Sequence, residues 1–295
     1  MIRGNQNQYM SGDKLKPKKR SRLRIQLGKS YYTFRRWFHW QLHADSYARV
    51  IEPDPLPYKI TGHATPFFRK LKDAQPWMLQ NKIVNLSLAR RRISGLVINP
   101  GETFSFWKSV GRPSRAKGYK DGMVLFYGQI ETGPGGGLCQ LSNLLFWLFL
   151  HSPLTVTQRY RHSFDVSPDD NRTQPFGTGA TCVYNYIDLQ CINKTPHPVQ
   201  IMLTMTDTHL EGTLHSTIPS TCKYLVYEKE HCIRQQAWGG YTRHNRIYRK
   251  QFRDEQCIAD EYLFANDAIM MYQPFLDHLT SGSPPCGAEM QMVNA

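Results

Sequence analysis

The apolar and polar positions change period several times along the chain, and each change predicts a different element. From Leu23 to Val50, Tyr31, Phe34, Trp37, Phe38 and Tyr47 interleave with Arg35, Arg36 and Arg49, as in a basic amphipathic helix or helix pair. Such a helix can lie on a membrane, but aromatics beside charges are ordinarily buried against a domain while the arginines reach water, and that packing is the expectation here. Prolines at 53, 55 and 57 exclude helix and predict a linker with a boundary near Ile60. Leu71, Met78, Leu79, Ile83, Leu86 and Leu88 lie near helical spacing interrupted by Pro76, which predicts two helices between Phe67 and Arg92. After Gly95 the signals become those of strands and turns, in LVINPGETFSF and MVLFYGQIETGPGGG, with later strands at Thr155–Gln158, Ala180–Tyr186, Val199–Met205 and Cys222–Tyr227. A turn closing two strands is predicted at Trp238-Gly239-Gly240-Tyr241. Between the early and late strands, LCQLSNLLFWLFLH has apolar residues at Leu141, Leu144, Leu145 and Leu148, with Phe146, Trp147 and Phe149 on other sides. That pattern predicts a helix over about 139–151, buried nearly all round and stopped by Pro153.

Together these elements predict an α+β fold. A helical N-terminal extension precedes a mixed domain whose mainly antiparallel sheet packs on the central buried helix, distantly papain-like or transglutaminase-like in element order. The predicted division is a disordered basic arm (1–21), the basic aromatic extension with its proline linker (22–57), a core domain (58–210), a C-terminal extension packed on the core (211–280) and a disordered tail (281–295).

Charge narrows the partners. Lysine and arginine number 37 against 23 acidic residues, a formal charge of +14, which predicts attraction to anionic surfaces: lipid, wall polymer or nucleic acid. Nucleic acid is the least supported, because no RNP-like aromatic segment or zinc-finger spacing accompanies the basic arm. The start MIRGNQNQYMSGDKLKPKKR has no apolar stretch of the signal-peptide kind, and no run approaches a membrane span. Seven widely spaced cysteines, an odd number, argue against a disulfide framework and against a C-x-x-C zinc site. A reduced, cytoplasmic setting is expected, with peripheral contact to an anionic inner membrane face. Among the histidines only His39 and His43 have i,i+4 spacing, in the basic helix, and no metal or cofactor is expected.

The strongest local signal is GPGGGLCQ, residues 133–140. Gly135, Gly136 and Gly137 permit positive φ and close approach of a neighbouring chain or ligand. If the helix starts at Cys139, its thiol meets free N–H groups and the positive end of the dipole, which favour a thiolate. A nucleophilic cysteine needs a base and an orienting group, and the chain supplies His162 in RYRHSFDV and then Asp188 in YNYIDLQ. Gln140 or helix-start N–H groups would stabilise an oxyanion. The plainer alternatives are a packed, inert Cys139, a structural His162 and an Asp188 that caps a turn before Asn193. Arg159, Arg161 and Arg172 near His162 suggest an anion site, since arginine's fork matches carboxylate or phosphate.

As a set, NPGETFSFWKSVGRPSRAKGYKDGMVLFYGQIETGPGGGLCQLSNLLFWLFL, RYRHSFDV and GATCVYNYIDLQCINKT resemble the VanW family, which is named for the accessory protein of B-type vancomycin-resistance clusters. The resemblance runs from about Tyr58 to about Met205, and the whole chain is similar to short members without a signal peptide. It implies a link to glycopeptide resistance or the bacterial cell envelope, and no particular enzyme class. Carried over residue by residue, the family motif marks Gly135, Gly136, Gly137, Cys139, Gln140 and Ser142, then Arg159 and His162, then Asp188 and Asn193. Where many longer members have an acidic residue before the alanine-threonine pair, this chain has Gly179 before Ala180, which leaves Asp188 as the acid candidate. Two functions are therefore expected to compete. One is a thiol hydrolase or transferase acting on peptidoglycan precursors through Cys139, His162 and Asp188. The other is a non-catalytic accessory protein that binds an anionic wall precursor or a membrane-associated partner.

Overall fold

The computed structural model describes residues 21–68, 75–126, 129–161, 164–165, 174–272 and 274. The predicted basic arm up to residue 20 and the predicted tail, and with them Leu71, His162, Arg172 and Cys286, lie outside the described residues. The chain is α+β, with mostly antiparallel sheets.

Helix α1 (Arg22–Leu42) is capped by the Ser21 hydroxyl, which accepts from Arg24 N at 3.4 Å. It touches the domain through few groups. Trp40 is buried, Arg36 Nη2 donates to Gln158 Oε1 at 2.6 Å, and Asn185 Nδ2 donates to the Thr33 carbonyl at 3.2 Å. The expectation that the aromatics of this segment pack on the domain holds for Tyr47, which is buried, and is corrected for Tyr31, Phe34, Trp37 and Phe38, which are exposed because the docking groups occupy a different arc of the helix. The proline linker is fixed by buried Gln200, which donates to the carbonyls of Glu52 and Asp54 at 2.9 and 3.0 Å and accepts from Leu56 N at 2.7 Å. Strand β1 (Tyr58–Pro66) follows the linker and pairs into a sheet.

Helix α2 (Pro76–Ile93) starts at the proline expected to interrupt it. At the first helical position the missing N–H costs nothing and the fixed φ is already helical. Strands β2 (Leu96–Ile98) and β3 (Thr103–Ser105) lead to the short α3 (Phe106–Val110), so the LVINPGETFSF run ends in a helix. Strands β4 (Asp121–Phe126) and β5 (Gln129–Pro134) form a hairpin. Helix α4 (Cys139–Leu150) follows, then β6 (Thr155–Gln158), β7 (Phe164–Asp165), β8 (Gln190–Ile192), β9 (Val199–Met205) and β10 (His209–Ser216). The last three strands are long: β11 (Lys223–Gln235), β12 (Tyr241–Arg253) and β13 (Gln256–Met270), with the predicted turn at Trp238–Gly240 between the first two.

One sheet has the order β1-β10-β9-β2 and a second β3-β8-β6, all antiparallel. A third, β11-β12-β13-β7, ends in a parallel pair. Helix α4 is the centre of the core, with Leu141, Leu144, Leu145, Phe146, Leu148 and Phe149 buried on several sides, as its all-round apolar pattern requires. It crosses β10 where Gly212 leaves room: a Cβ there would stand 2.8 Å from Leu148 Cδ1. Ala180–Tyr186 is not a strand. Its backbone groups are taken by other partners, Ala180 N by Asn143 Oδ1 at 2.7 Å and Thr181 N by the Tyr160 carbonyl at 2.8 Å, and Val183 and Ile187 close a tight turn.

The glycine loop before α4 is a packing device. Gly135 and Gly137 have φ of 80° and 90°. A Cβ on Gly136 would lie 2.0 Å from the Gly122 carbonyl carbon. Buried Asn85 of α2 locks this contact by donating through Nδ2 to the carbonyls of Gly136 and Lys120, both at 2.9 Å, and accepting from Lys120 N at 2.8 Å. Gly135 N and Gly137 N donate to the carbonyls of Lys120 and Met123, each at 3.0 Å. All three glycines are thus spent on β4 and α2. Gly136→Ala is expected to lower unfolding free energy by about 1–3 kcal/mol, the usual cost of overpacking, read as a fall in Tm; an unchanged melting curve would contradict the tight Gly136–Gly122 contact.

Candidate functional site

Because the glycine loop is clamped, the position at which α4 begins is fixed, and Cys139 is its first residue with a half-buried thiol. The helix has no side-chain cap and no acidic residue in its first turn. Its earliest N–H groups fold back on the loop, Gln140 N to the Gly137 carbonyl at 3.1 Å and Ser142 N to the Leu138 carbonyl at 3.2 Å. The positive end of the helix therefore bears on the sulfur without a competing carboxylate.

The partner of Cys139 is Cys182, with the two Sγ atoms 3.6 Å apart. Two adjacent residues of α4 deliver it. Asn143 holds Ala180 N, while buried Ser142 donates to the Ala180 carbonyl at 2.7 Å and lies 3.1 Å from the Cys139 carbonyl. Both backbone groups of Ala180 are thereby tied to the helix that carries Cys139. The Cys182 thiol donates to the Cys139 sulfur and is the main cause of lowering Cys139 to about 7; burial opposes the shift, and the backbone N–H groups of Cys182 and Cys139 assist it. Cys182 itself is pushed well up, first because it donates to Cys139 and then by burial. The contact thus favours charge on Cys139 and the proton on Cys182.

Asp188 is buried and occupied elsewhere. Its carboxylate accepts from Ser105 Oγ at 2.6 Å, Trp107 N at 3.0 Å and Gln190 Nε2 at 2.9 Å, joining β3, α3 and β8. Burial raises its pKa despite those donors and the field of Arg36. His162, the predicted base, lies outside the described residues. The chain just before it is described: Tyr160 accepts from Thr181, the neighbour of Cys182.

The remaining predicted binding residues are engaged inside the protein. Gln140 Nε2 donates to Thr65 Oγ1 at 3.1 Å and to the Pro66 carbonyl at 3.0 Å, fixing β1 to α4. Asn193 organises a turn: its Nδ2 reaches the carbonyls of Ile98 and His197, both at 2.8 Å, and its Oδ1 accepts from Thr195 N at 3.0 Å. Arg159 donates to the Gly177 and Gly179 carbonyls and is sandwiched between the rings of Phe146 and Phe264, 5.0 and 4.3 Å from its guanidinium carbon. Burial, and then the nearby Arg161, lower its pKa to about 9. Arg161 pairs with Asp267 at 3.0 Å. Of the three arginines read as an anion site, Arg159 and Arg161 are thus bonded within the protein, and Arg172 lies outside the described residues. His39 and His43 stack on each other with centroids 4.4 Å apart, and among the described residues no three His, Cys, Asp or Glu side chains converge as a metal site would require.

Sequence reasoning passed over Cys182, Asn85 and Asn143. The first lies 43 positions from Cys139, with no spacing rule to link them, and the two asparagines act through backbone groups that only the fold brings near. Alkylation of Cys139, followed by peptide mass analysis, is expected to speed up as pH rises through about 7, where the thiolate forms. Cys182→Ala removes the donor that stabilises the anion, so the midpoint must move upward and labelling at neutral pH must slow several-fold. A midpoint indifferent to Cys182 would mean that the pair is not coupled.

Residues 81–215 match the family model described as "VanW like protein". Over 166 residues the chain is 39% identical to the vancomycin B-type resistance protein VanW of Enterococcus faecalis, covering 56% of this chain and 60% of that protein. Over 117 residues it is 36% identical to the uncharacterized protein YoaR of Bacillus subtilis, covering 40% of this chain and 37% of that one. The chain thus spans less than two thirds of either relative. No solved structure matches it. The match over 81–215 contains the glycine loop, α4 and both cysteines of the pair, so the segment that holds the candidate site is similar to the VanW family.

Proposed function

We propose that this chain serves glycopeptide resistance or cell-envelope metabolism as a cysteine-dependent hydrolase or transferase acting on peptidoglycan precursors. The observation that carries the reading is the sulfur pair at the start of α4, Cys139 with Cys182 3.6 Å away, an arrangement that lowers the Cys139 pKa to about 7. A thiolate near neutrality needs little further activation to attack an acyl carbon. In the proposed step the Cys139 sulfur adds to the carbonyl carbon of a precursor peptide bond, and the C–N bond breaks. The amine leaves with a proton from a general acid, the role proposed for His162, and water or an acceptor amine then cleaves the thioester. Backbone N–H groups near Cys139 and Cys182 are the proposed stabilisers of the oxyanion. The order of a cysteine on a helix start, then a histidine and an acid from later segments, supports a distant papain-like or transglutaminase-like logic.

The substrate class rests on the family link and on the Enterococcus faecalis relative, a vancomycin B-type resistance protein. The accessory reading has its own support in the hydrogen bonding of Asp188 to Ser105, Trp107 and Gln190, which engages the acid candidate away from the sulfur pair. Incubation with peptidoglycan precursors and muropeptides, followed by mass spectrometry of the intact protein, separates the two. The enzyme reading expects an acyl adduct on Cys139, lost in Cys139→Ala together with precursor turnover. A wild-type protein that binds precursor, forms no adduct and leaves it unchanged would overturn catalysis and leave the accessory role.

A further inference from the structure

Helix α1 carries an apolar stripe that the rest of the chain leaves uncovered among the described residues. Leu23, Leu27, Tyr31, Phe34, Phe38 and Leu42 recur at four- and three-residue steps, and at about 100° per residue they fall within roughly 100° of arc. Each is exposed, from 51% for Phe38 to 66% for Leu23. The groups that fasten α1 to the domain, Thr33, Arg36 and Trp40, lie on the opposite side. The helix therefore docks by one face and presents an unbroken hydrophobic row on the other. Isolated exposed leucines need no explanation, but a continuous row of this length does.

Charge identifies what covers it. The helix contains Arg22, Arg24, Lys29, Arg35 and Arg36 and no acidic residue, and the sequence from Lys14 to Ala44 has none either. At about 100° per residue, Arg24 and Arg35 stand at one edge of the stripe, level with the interface that the apolar side chains would enter. Trp37, 49% exposed, stands at the other edge. Apolar side chains flanked by cations and an interfacial tryptophan are the composition of a helix that lies in the plane of an anionic bilayer. A second copy of the helix would set five cations against five with no carboxylate to neutralise them. No helix among the described residues is long and apolar enough to cross a membrane, so insertion along the surface is the available mode.

We infer that α1 is a membrane-surface anchor that seats the domain on anionic lipid through the Leu23–Leu42 stripe. This inference stands independently of the chemistry assigned to Cys139. The test is cosedimentation of the full chain with phosphatidylcholine vesicles, with and without phosphatidylglycerol, at low and high salt. Binding to the anionic vesicles is expected to be about tenfold or more tighter than to neutral ones, and to weaken with salt. Leu27→Glu with Phe34→Glu should abolish binding while the circular dichroism spectrum and melting curve stay unchanged, since neither side chain touches the core. Absence of binding, equal binding to neutral vesicles, or binding by the double variant would each overturn the proposal. So would a dimer of the wild type that dissociates in the double variant, which would assign the stripe to a second copy.

Discussion

The backbone contact between Gly136 and Gly122 is the constraint on which the placement of everything else depends. Two main chains approach so closely there that no side chain fits between them. Without Cβ atoms the contact gains little by itself, and glycine is the residue most costly to order. What holds it is Asn85, whose amide satisfies groups on both chains from a fully buried position on α2. A buried amide with three such bonds is worth keeping because removing it leaves backbone groups unpaired, at about 1–3 kcal/mol each. Hairpin β4-β5, helix α2 and the start of α4 are thereby fixed to one another before any reactive group enters the account.

The paired sulfurs follow from that geometry. α4 begins where the loop ends, so Cys139 cannot slide along the helix axis. Ser142 and Asn143, one turn later, take both backbone groups of Ala180 and bring Cys182 in from a segment distant in sequence. Arg159 braces the far side, its cation satisfied by glycine carbonyls and two aromatic faces with no carboxylate bonded to it. The site is thus a rigid arrangement in which neutral dipoles do most of the positioning. A low-dielectric surrounding of that kind strengthens the Cys182-to-Cys139 hydrogen bond and keeps other charges from competing with the thiolate.

This division explains what the sequence made legible. Helix α4 was readable because its apolar residues surround it, and β6, β9 and the β11–β12 turn because alternation and turn residues are local signals. Pro76 misled through position, since a proline that would break a helix interior is at home in its first turn. Ala180–Tyr186 misled through composition: its apolar and aromatic residues suit a strand, but side chains of α4 had already claimed its backbone. A sequence displays the charge of Arg159 near His162 and hides the glycine carbonyls that hold it. Cys182 and Asn85 were invisible for the same reason, as each matters only through a partner that tertiary structure supplies.

The N-terminal helix shows the converse, a local pattern whose meaning reverses when burial is known. Basic and aromatic residues interleaved along a helix fit equally with a helix packed on a core and with one that is not, and only the arc on which the docking residues fall decides between them. Here the domain holds α1 by buried Trp40, by polar contacts that include Arg36 to Gln158, Asn185 to Thr33 and Lys108 to the Trp40 carbonyl, and by the Tyr32–Tyr186 ring contact. Those contacts set its direction but bury little of its apolar surface. Fully burying one leucine or phenylalanine contributes roughly 1.5–3 kcal/mol, so six half-exposed side chains leave a substantial driving force unspent in water. Most of a helix's stability in a protein comes from packing its apolar face rather than from propensity. Its polar face therefore supplies orientation, and its apolar face can supply stability only by entering an environment that the domain does not provide.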